Sequence, residues 1–210
     1  MTRRKTEVAK DVAQLDLLRD VYVTNLRDGR ATPRSIGDSL AVSSSSVGSA
    51  LRAAAAKDLV RLGKHSVELT PVGRRKLKVI MLGGAFEIIH PGHLHALSEA
   101  KNLGNTLVVI VATDASVERN KGRPPATNQA LRVALVSALR PVDLAIPGNK
   151  GSIFEILVRV RPDVVALGYD QRHSAEEIVR EAAKRGVAIS AARLGSPIPD
   201  VKTSKILLSL

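Results

Sequence analysis

Apolar positions along the chain follow two regimes, and the change falls near residue 78. Before it they recur every three or four residues, the spacing of one helix face. Val12, Leu15, Leu17, Leu18, Tyr22 and Leu26 predict a helix over 8–26. Thr32-Pro33 supplies an N-cap and a first-turn proline for a short helix through Leu40. After a turn at Ala41-Val42, Ser43 or Ser44 can accept the opening amides of a helix over 44–57. Two short apolar runs, 59–62 and 67–69, flank Gly63-Lys64 and predict a β-hairpin. Thr70-Pro71 then opens a last helix running into Lys78.

Beyond residue 78, short Val/Ile-rich runs alternate with helical patterns. Strands are predicted over 78–83, 106–112, 143–146, 164–167 and 187–190. Helices are predicted over 92–103, 128–139, 152–160 and 175–184. Such alternation means βαβ units on a parallel sheet buried on both faces. Two domains are therefore expected, 1–77 and 78–210. Ligands of an open parallel sheet bind at the carboxyl ends of its strands, where the strand order reverses.

Composition narrows the function. There is no cysteine, so disulfides, thiolate metal sites and thiol catalysis drop out. No apolar stretch is long enough for a membrane span, and the basic start has no apolar segment behind it, so a cytoplasmic protein without membrane association is expected. The net charge is +12, and residues 1–78 hold 16 Lys/Arg against 8 Asp/Glu. The first part of the chain thus carries two thirds of the excess, which points towards a polyanion such as DNA.

The first βα junction reads "VIMLGGAFEIIHPGHLHALSEAKNLG". It has neither GxGxxG nor the P-loop pattern, so dinucleotide-dehydrogenase and P-loop readings lose their main support. Two glycines end a strand, and His90-Pro91-Gly92-His93 opens a helix. A helix start presents unpaired amides and partial positive charge. Pro91 presets the first turn, and Gly92 admits an anion close to the backbone. His90 and His93, three apart, can share one side of the entrance and donate to phosphate oxygens. Two plainer readings stand beside this: a structural pair capping the helix, and a zinc site with His95. His95 follows His93 by two residues and so faces elsewhere, which makes joint ligation awkward, and no protein-held metal is expected.

This junction resembles the nucleotidyltransferase superfamily marked by a GxFD…HxGH pattern. "KGRPPATNQALRVALVSALRPVDLAIPG", "RPDVVALGYDQ" and "VKTSKI" match further motifs of that superfamily in order. The resemblance implies an α/β fold: a Rossmann-like parallel-sheet nucleotidyltransferase domain, here preceded by a small winged helix. It implies that Ala85 and Phe86 line the nucleotide pocket with Pro91 and Gly92, and that His90 and His93 hold the α- and β-phosphates. Lys121 would offset charge at the reacting phosphorus. Glu87, Arg123 and Arg132 would face the acceptor. Gly168, Tyr169 and Asp170 would border base and ribose, and Thr203 and Ser204 would take the β- and γ-phosphates. One departure is Glu87, where the family usually has Asp. The "RPDVVALGYDQ" loop and "RPVDLAIPG" look most like archaeal FAD synthetases, which join AMP from ATP to FMN, with Mg²⁺ on the triphosphate. "TSKI" is shared with glycerol-phosphate cytidylyltransferases, which keeps CTP and a polyol phosphate as the alternative.

"TPRSIGDSLAVSSSSVGSALRAAAAKDLVRLGKHSVELTPVGRRKL" resembles a winged helix-turn-helix domain. That implies DNA contact through Ser44, Ser45, Ser46, Ser49 and Arg52 on the second helix and Lys64 at the wing. A nucleotide-sensing, DNA-binding regulator is therefore a third reading. Both families imply a homodimer.

Overall fold

The computed structural model describes residues 2–169 and 174–195, with side chains from residue 14 onwards. The chain divides into two compact units, Met1–Leu77 and Lys78–Leu210.

The first unit runs α1 (Thr2–Asp28), α2 (Pro33–Leu40), α3 (Ser44–Ala55), the antiparallel hairpin β1 (Val60–Leu62) and β2 (Val67–Leu69), and α4 (Pro71–Arg74). Thr32 caps α2 by accepting from the Ser35 amide, and the Ser35 hydroxyl accepts from the Thr32 amide in return. The turn from α2 into α3 closes tightly at Gly37, where a Cβ would stand 2.8 Å from the Val42 carbonyl. Ser43 caps α3 through the Ser46 amide. Leu18, Val21, Ile36 and Leu51 are buried and form the centre of this unit. α4 stops at Arg74, short of the predicted run to Lys78. Gly73 lies so close to the Leu59 carbonyl that a Cβ would meet it at 1.9 Å, and Arg74 closes the end by donating to the Leu77 carbonyl.

The second unit runs β3 (Val79–Gly84), α5 (Pro91–Asn102), β4 (Thr106–Val111), α6 (Asp114–Lys121), α7 (Gln129–Ser137), β5 (Leu144–Pro147), α8 (Ile153–Val160), β6 (Val164–Leu167), α9 (Ala175–Ala183) and β7 (Ser190–Arg193). Its five strands are parallel in the order β5-β4-β3-β6-β7. The chain moves outward from β3 through β4 and β5, then crosses back to β6 and β7, so the order reverses beside β3. Ile80, Leu82, Leu107, Val109 and Val111 pack with Leu97 and Ala100 of α5 and Val136 of α7. The intervening Met81, Val108, Ile110, Val165 and Leu167 are buried too, which explains the uninterrupted apolar runs. At the opposite ends of the strands, Asp163 accepts from the Val79 amide and Asp143 from the Leu107 amide, each at 2.6 Å.

Two elements depart from the sequence pattern. α6 was not predicted: only Val117 of its eight residues carries a buried apolar side chain, so it has almost no apolar periodicity. Its caps were nonetheless present in the sequence, Thr113 before it and Gly122 after it, the latter at φ 71°. The last described strand lies at Ser190–Arg193 rather than 187–190. Val187 is buried behind α9, whereas the small residues of β7 pair at the sheet edge with only partial burial.

Candidate active site

β3 leaves the sheet at Gly83-Gly84, and the path of the chain from there to α5 is tightly constrained. A Cβ on Gly84 would stand 2.7 Å from the Phe86 ring, so only glycine lets that ring fold back. Phe86 is buried and holds φ at 49°, a left-handed conformation that a bulky residue adopts only when its surroundings enforce it. Its ring lies 5.2 Å from that of His93. The strain thus delivers the chain from the strand end to the start of α5.

His90 is the N-cap residue of α5, and its side chain makes no capping bond. Pro91 occupies the first helical position, and Gly92 follows, where helix geometry leaves an amide without an intrahelical acceptor. The rings of His90 and His93 stack with centroids 3.9 Å apart. Burial pushes the His90 imidazole below its usual pKa, and its Nδ1 is shielded with no hydrogen-bond partner among the described residues. His95 stands apart from this pair, 3.5 Å from Glu99 on the exposed side of the helix. Among the described residues no three His, Asp or Glu side chains gather as a metal site.

Glu87, next to Phe86, is where the departure from the family pattern falls. Its side chain has no exposure. Its carboxylate accepts from Arg123 at 2.5 Å, from Lys121 at 2.7 Å and from the Ala126 amide at 2.9 Å. Arg123 foremost, with Lys121 and the amide, holds the carboxyl down to about 2. Glu87 therefore anchors the loop between α6 and α7 and faces no open space, contrary to its expected place against an acceptor. The Asp of the family pattern is one methylene shorter, so the longer side chain accounts for the reach across to both cations.

Arg132 also lies elsewhere than expected. It is 1% exposed, and its guanidinium donates to the carbonyls of Ala85, Ala112 and Thr127 and pairs with Asp114 at 2.6 Å. Four of its five N–H donors are taken by these groups, and its burial keeps it from facing an acceptor in the cleft. The residue instead ties together the β3 exit, the β4 exit and the loop before α7. Gln129 makes a second tie, donating to the Val111 carbonyl at 2.8 Å and the Gly148 carbonyl at 3.0 Å.

These ties leave an open cleft of about 680 Å³ above the strand ends. Its floor is Met81, Ile110 and Val165, and Ile153 and Ile156 of α8 close one wall. The β3 exit at Gly83, Gly84 and Ala85 forms another side, and α6 contributes Ser116, Arg119, Asn120 and Lys121. The volume suits a nucleotide-sized ligand, since such sites span roughly 300–1,000 Å³. Of the residues singled out in the sequence, Ala85 and Lys121 line it directly. Phe86, His90 and His93 lie beyond Gly84, on the α5 side of the β3 exit. Gly168 and the exposed Tyr169 come after the end of β6, where the Gly168 carbonyl accepts from Arg193. Asp170, Thr203 and Ser204 fall outside the described residues. Arg119, Asn120 and Ser116 had escaped notice because α6 itself had; Gln129 opens the predicted α7 and carries no charge to mark it.

A parallel sheet with an open cleft at its reversal point, beside a helix start carrying two imidazoles, defines a Rossmann-like nucleotidyltransferase. The chain belongs to the cytidylyltransferase-like family, whose family model matches residues 81–207. It is 44% identical to the FAD synthase of Aciduliprofundum boonei over 115 residues, covering 55% of this chain and 76% of that protein. It is 41% identical to the FAD synthase of Pyrococcus horikoshii over 136 residues, 63% of this chain and 91% of that one. A solved structure from Thermoplasma volcanium, described as a lipopolysaccharide core biosynthesis protein, superposes with a TM-score of 0.55 at 38% identity, covering 57% of this chain and 98% of that chain.

The Glu87 cluster has a consequence in acid. A carboxyl depressed in the folded state stabilises fully above its unfolded value near 4.5, and the contribution is lost as pH falls towards 2. Its cations are one-third or more exposed, so after screening the contribution is roughly 1–3 kcal/mol. Wild type and Glu87→Gln should therefore differ in denaturant stability at pH 7 and converge as pH falls from 4.5 to 2. A difference that stayed constant over that window would rule the cluster out.

Proposed function

We propose that the second unit transfers the adenylyl group of ATP to FMN, forming FAD and releasing pyrophosphate. The observation that carries this is the 41–44% identity to FAD synthases of which the chain covers three quarters or more. An oxygen of the FMN phosphate attacks the α-phosphorus of ATP in line, and the bond from that phosphorus to the pyrophosphate oxygen breaks. Such a displacement needs alignment and charge neutralisation more than covalent help. His90 and His93 donate to the α- and β-phosphates. Lys121 turns from Glu87 towards the charge that builds at phosphorus, and Arg123 keeps the carboxylate paired as it does. Gly168, Tyr169 and Asp170 border the base and ribose, and Thr203 and Ser204 take the outer phosphates. Mg²⁺ brought in with the triphosphate would supply further charge neutralisation. The reaction belongs to the cytoplasm, and a homodimer is part of the same reading. Among the described residues no helix is long and apolar enough to cross a membrane.

The test pairs ATP or CTP with FMN or glycerol 3-phosphate in the presence of Mg²⁺ and follows product and pyrophosphate. FAD from ATP and FMN is expected, with His93→Ala lowering turnover at least a hundredfold while its melting curve stays near wild type. Cytidylyl transfer to glycerol 3-phosphate would replace the favoured substrates. Undiminished turnover in His93→Ala would remove the histidine pair from the site.

For the first unit we read a winged helix that binds duplex DNA. Ser44, Ser45, Ser46, Ser49 and Arg52 of α3 are exposed, and Lys64 is exposed at the hairpin turn. A groove of about 500 Å³ runs between α3 and the hairpin, and Arg30, Arg52, Lys64 and His65 supply its basic groups. Exposed hydroxyls and cations of this kind contact phosphates and base edges. Binding to mixed-sequence duplex should weaken steeply with salt, and the double variant Arg52→Ala, Lys64→Ala should lower both affinity and salt slope. Wild-type affinity in the double variant would contradict the interface.

A further inference from the structure

The cleft carries an asymmetry that the roles assigned above leave unused. The described residues lining it include two cations, Arg119 and Lys121, and no carboxylate. Lys121 is bonded to the buried carboxylate of Glu87. Arg119 is exposed, on the last turn of α6, and has no ion-pair partner among the described residues. Ser116, one turn before it, and its neighbour Asn120 line the same wall. An unpaired guanidinium at the wall of a carboxylate-free cavity favours an anion there.

We propose that Arg119 binds the phosphate of the acceptor, the contact that buried Arg132 cannot make. This rests on the adenylyl-transfer reading and deepens it. That reaction brings two anions to one cleft. The helix start at Gly92 and the paired imidazoles serve the triphosphate, from the α5 side of the β3 exit. Arg119 lies on the α6 wall, and its planar fork matches a phosphomonoester. One oxygen of that group attacks the α-phosphorus while the other two accept from the guanidinium. After transfer the same phosphate is half of a phosphoanhydride bridge and carries a single charge, so its hold on Arg119 weakens and product leaves more readily. Sequence reasoning missed the residue because α6 has almost no apolar periodicity.

The experiment compares FMN with riboflavin, which differs by the phosphate alone. Wild-type FAD formation is measured first. Flavin binding is then followed by fluorescence for wild type, Arg119→Ala and Arg119→Lys, with KM values for ATP and FMN alongside. Arg119→Ala should weaken FMN binding and raise the FMN KM at least tenfold. Riboflavin affinity and the ATP KM should stay within twofold. Arg119→Lys, which keeps the charge and loses the fork, should fall between. An unchanged FMN-to-riboflavin ratio in Arg119→Ala overturns the assignment, as does an effect confined to the ATP KM. Absence of FAD formation in wild type is the separate result that overturns the reading of the reaction itself.

Discussion

A charge taken out of water must be matched where it stands, and two such charges shape the working end of this molecule. The Arg132 guanidinium is 1% exposed and the Glu87 side chain has no exposure. Burying either alone would cost several kcal/mol. Each therefore recruits partners, and the partners are the loops around the cleft. Arg132 gathers three carbonyls from the β3 exit, the β4 exit and the loop before α7, together with the carboxylate of Asp114. Glu87 gathers two cations and an amide from the end of α6 and the loop beyond it. Satisfying these two groups fixes the relative positions of segments that strand pairing alone would leave loose.

The site is a product of that framework. With carbonyls and carboxylate turned inward to the buried charges, the surface left facing the cleft is apolar floor, backbone, a few neutral polar side chains and cation. Phe86, strained at φ 49°, carries the chain from Gly84 to the histidine pair at the start of α5. An electropositive cleft beside an open helix start suits a reaction whose substrates are both anions and whose transition state is more highly charged still. The protein needs no nucleophile of its own, in keeping with a chain that has no cysteine.

Much of this was legible in the residues, and what was not has physical reasons. The parallel sheet could be read because both faces of β3, β4 and β6 are buried, which writes continuous apolar runs into the sequence. His90-Pro91-Gly92-His93 could be read because helix starts have local chemistry that spacing preserves. The roles of Glu87 and Arg132 could not, since sequence shows that a residue is charged but not which way its charge faces. Both were expected against an acceptor, and both hold the walls instead. α6 was missed because its stability comes from its caps and a single buried valine, so Arg119 and Asn120 were missed with it. β7 was placed three residues early because Val187 is buried outside the strand while the strand itself is made mostly of small residues.

Attack at the α-phosphorus is the step on which the proposed reaction rests. Following the label from ATP carrying ³²P at either the α- or the γ-position, with FMN as acceptor, tests it most directly. The α-label should pass into the flavin product and the γ-label into pyrophosphate. A γ-label found in the flavin, or released as orthophosphate with no α-label transferred, would contradict that reaction.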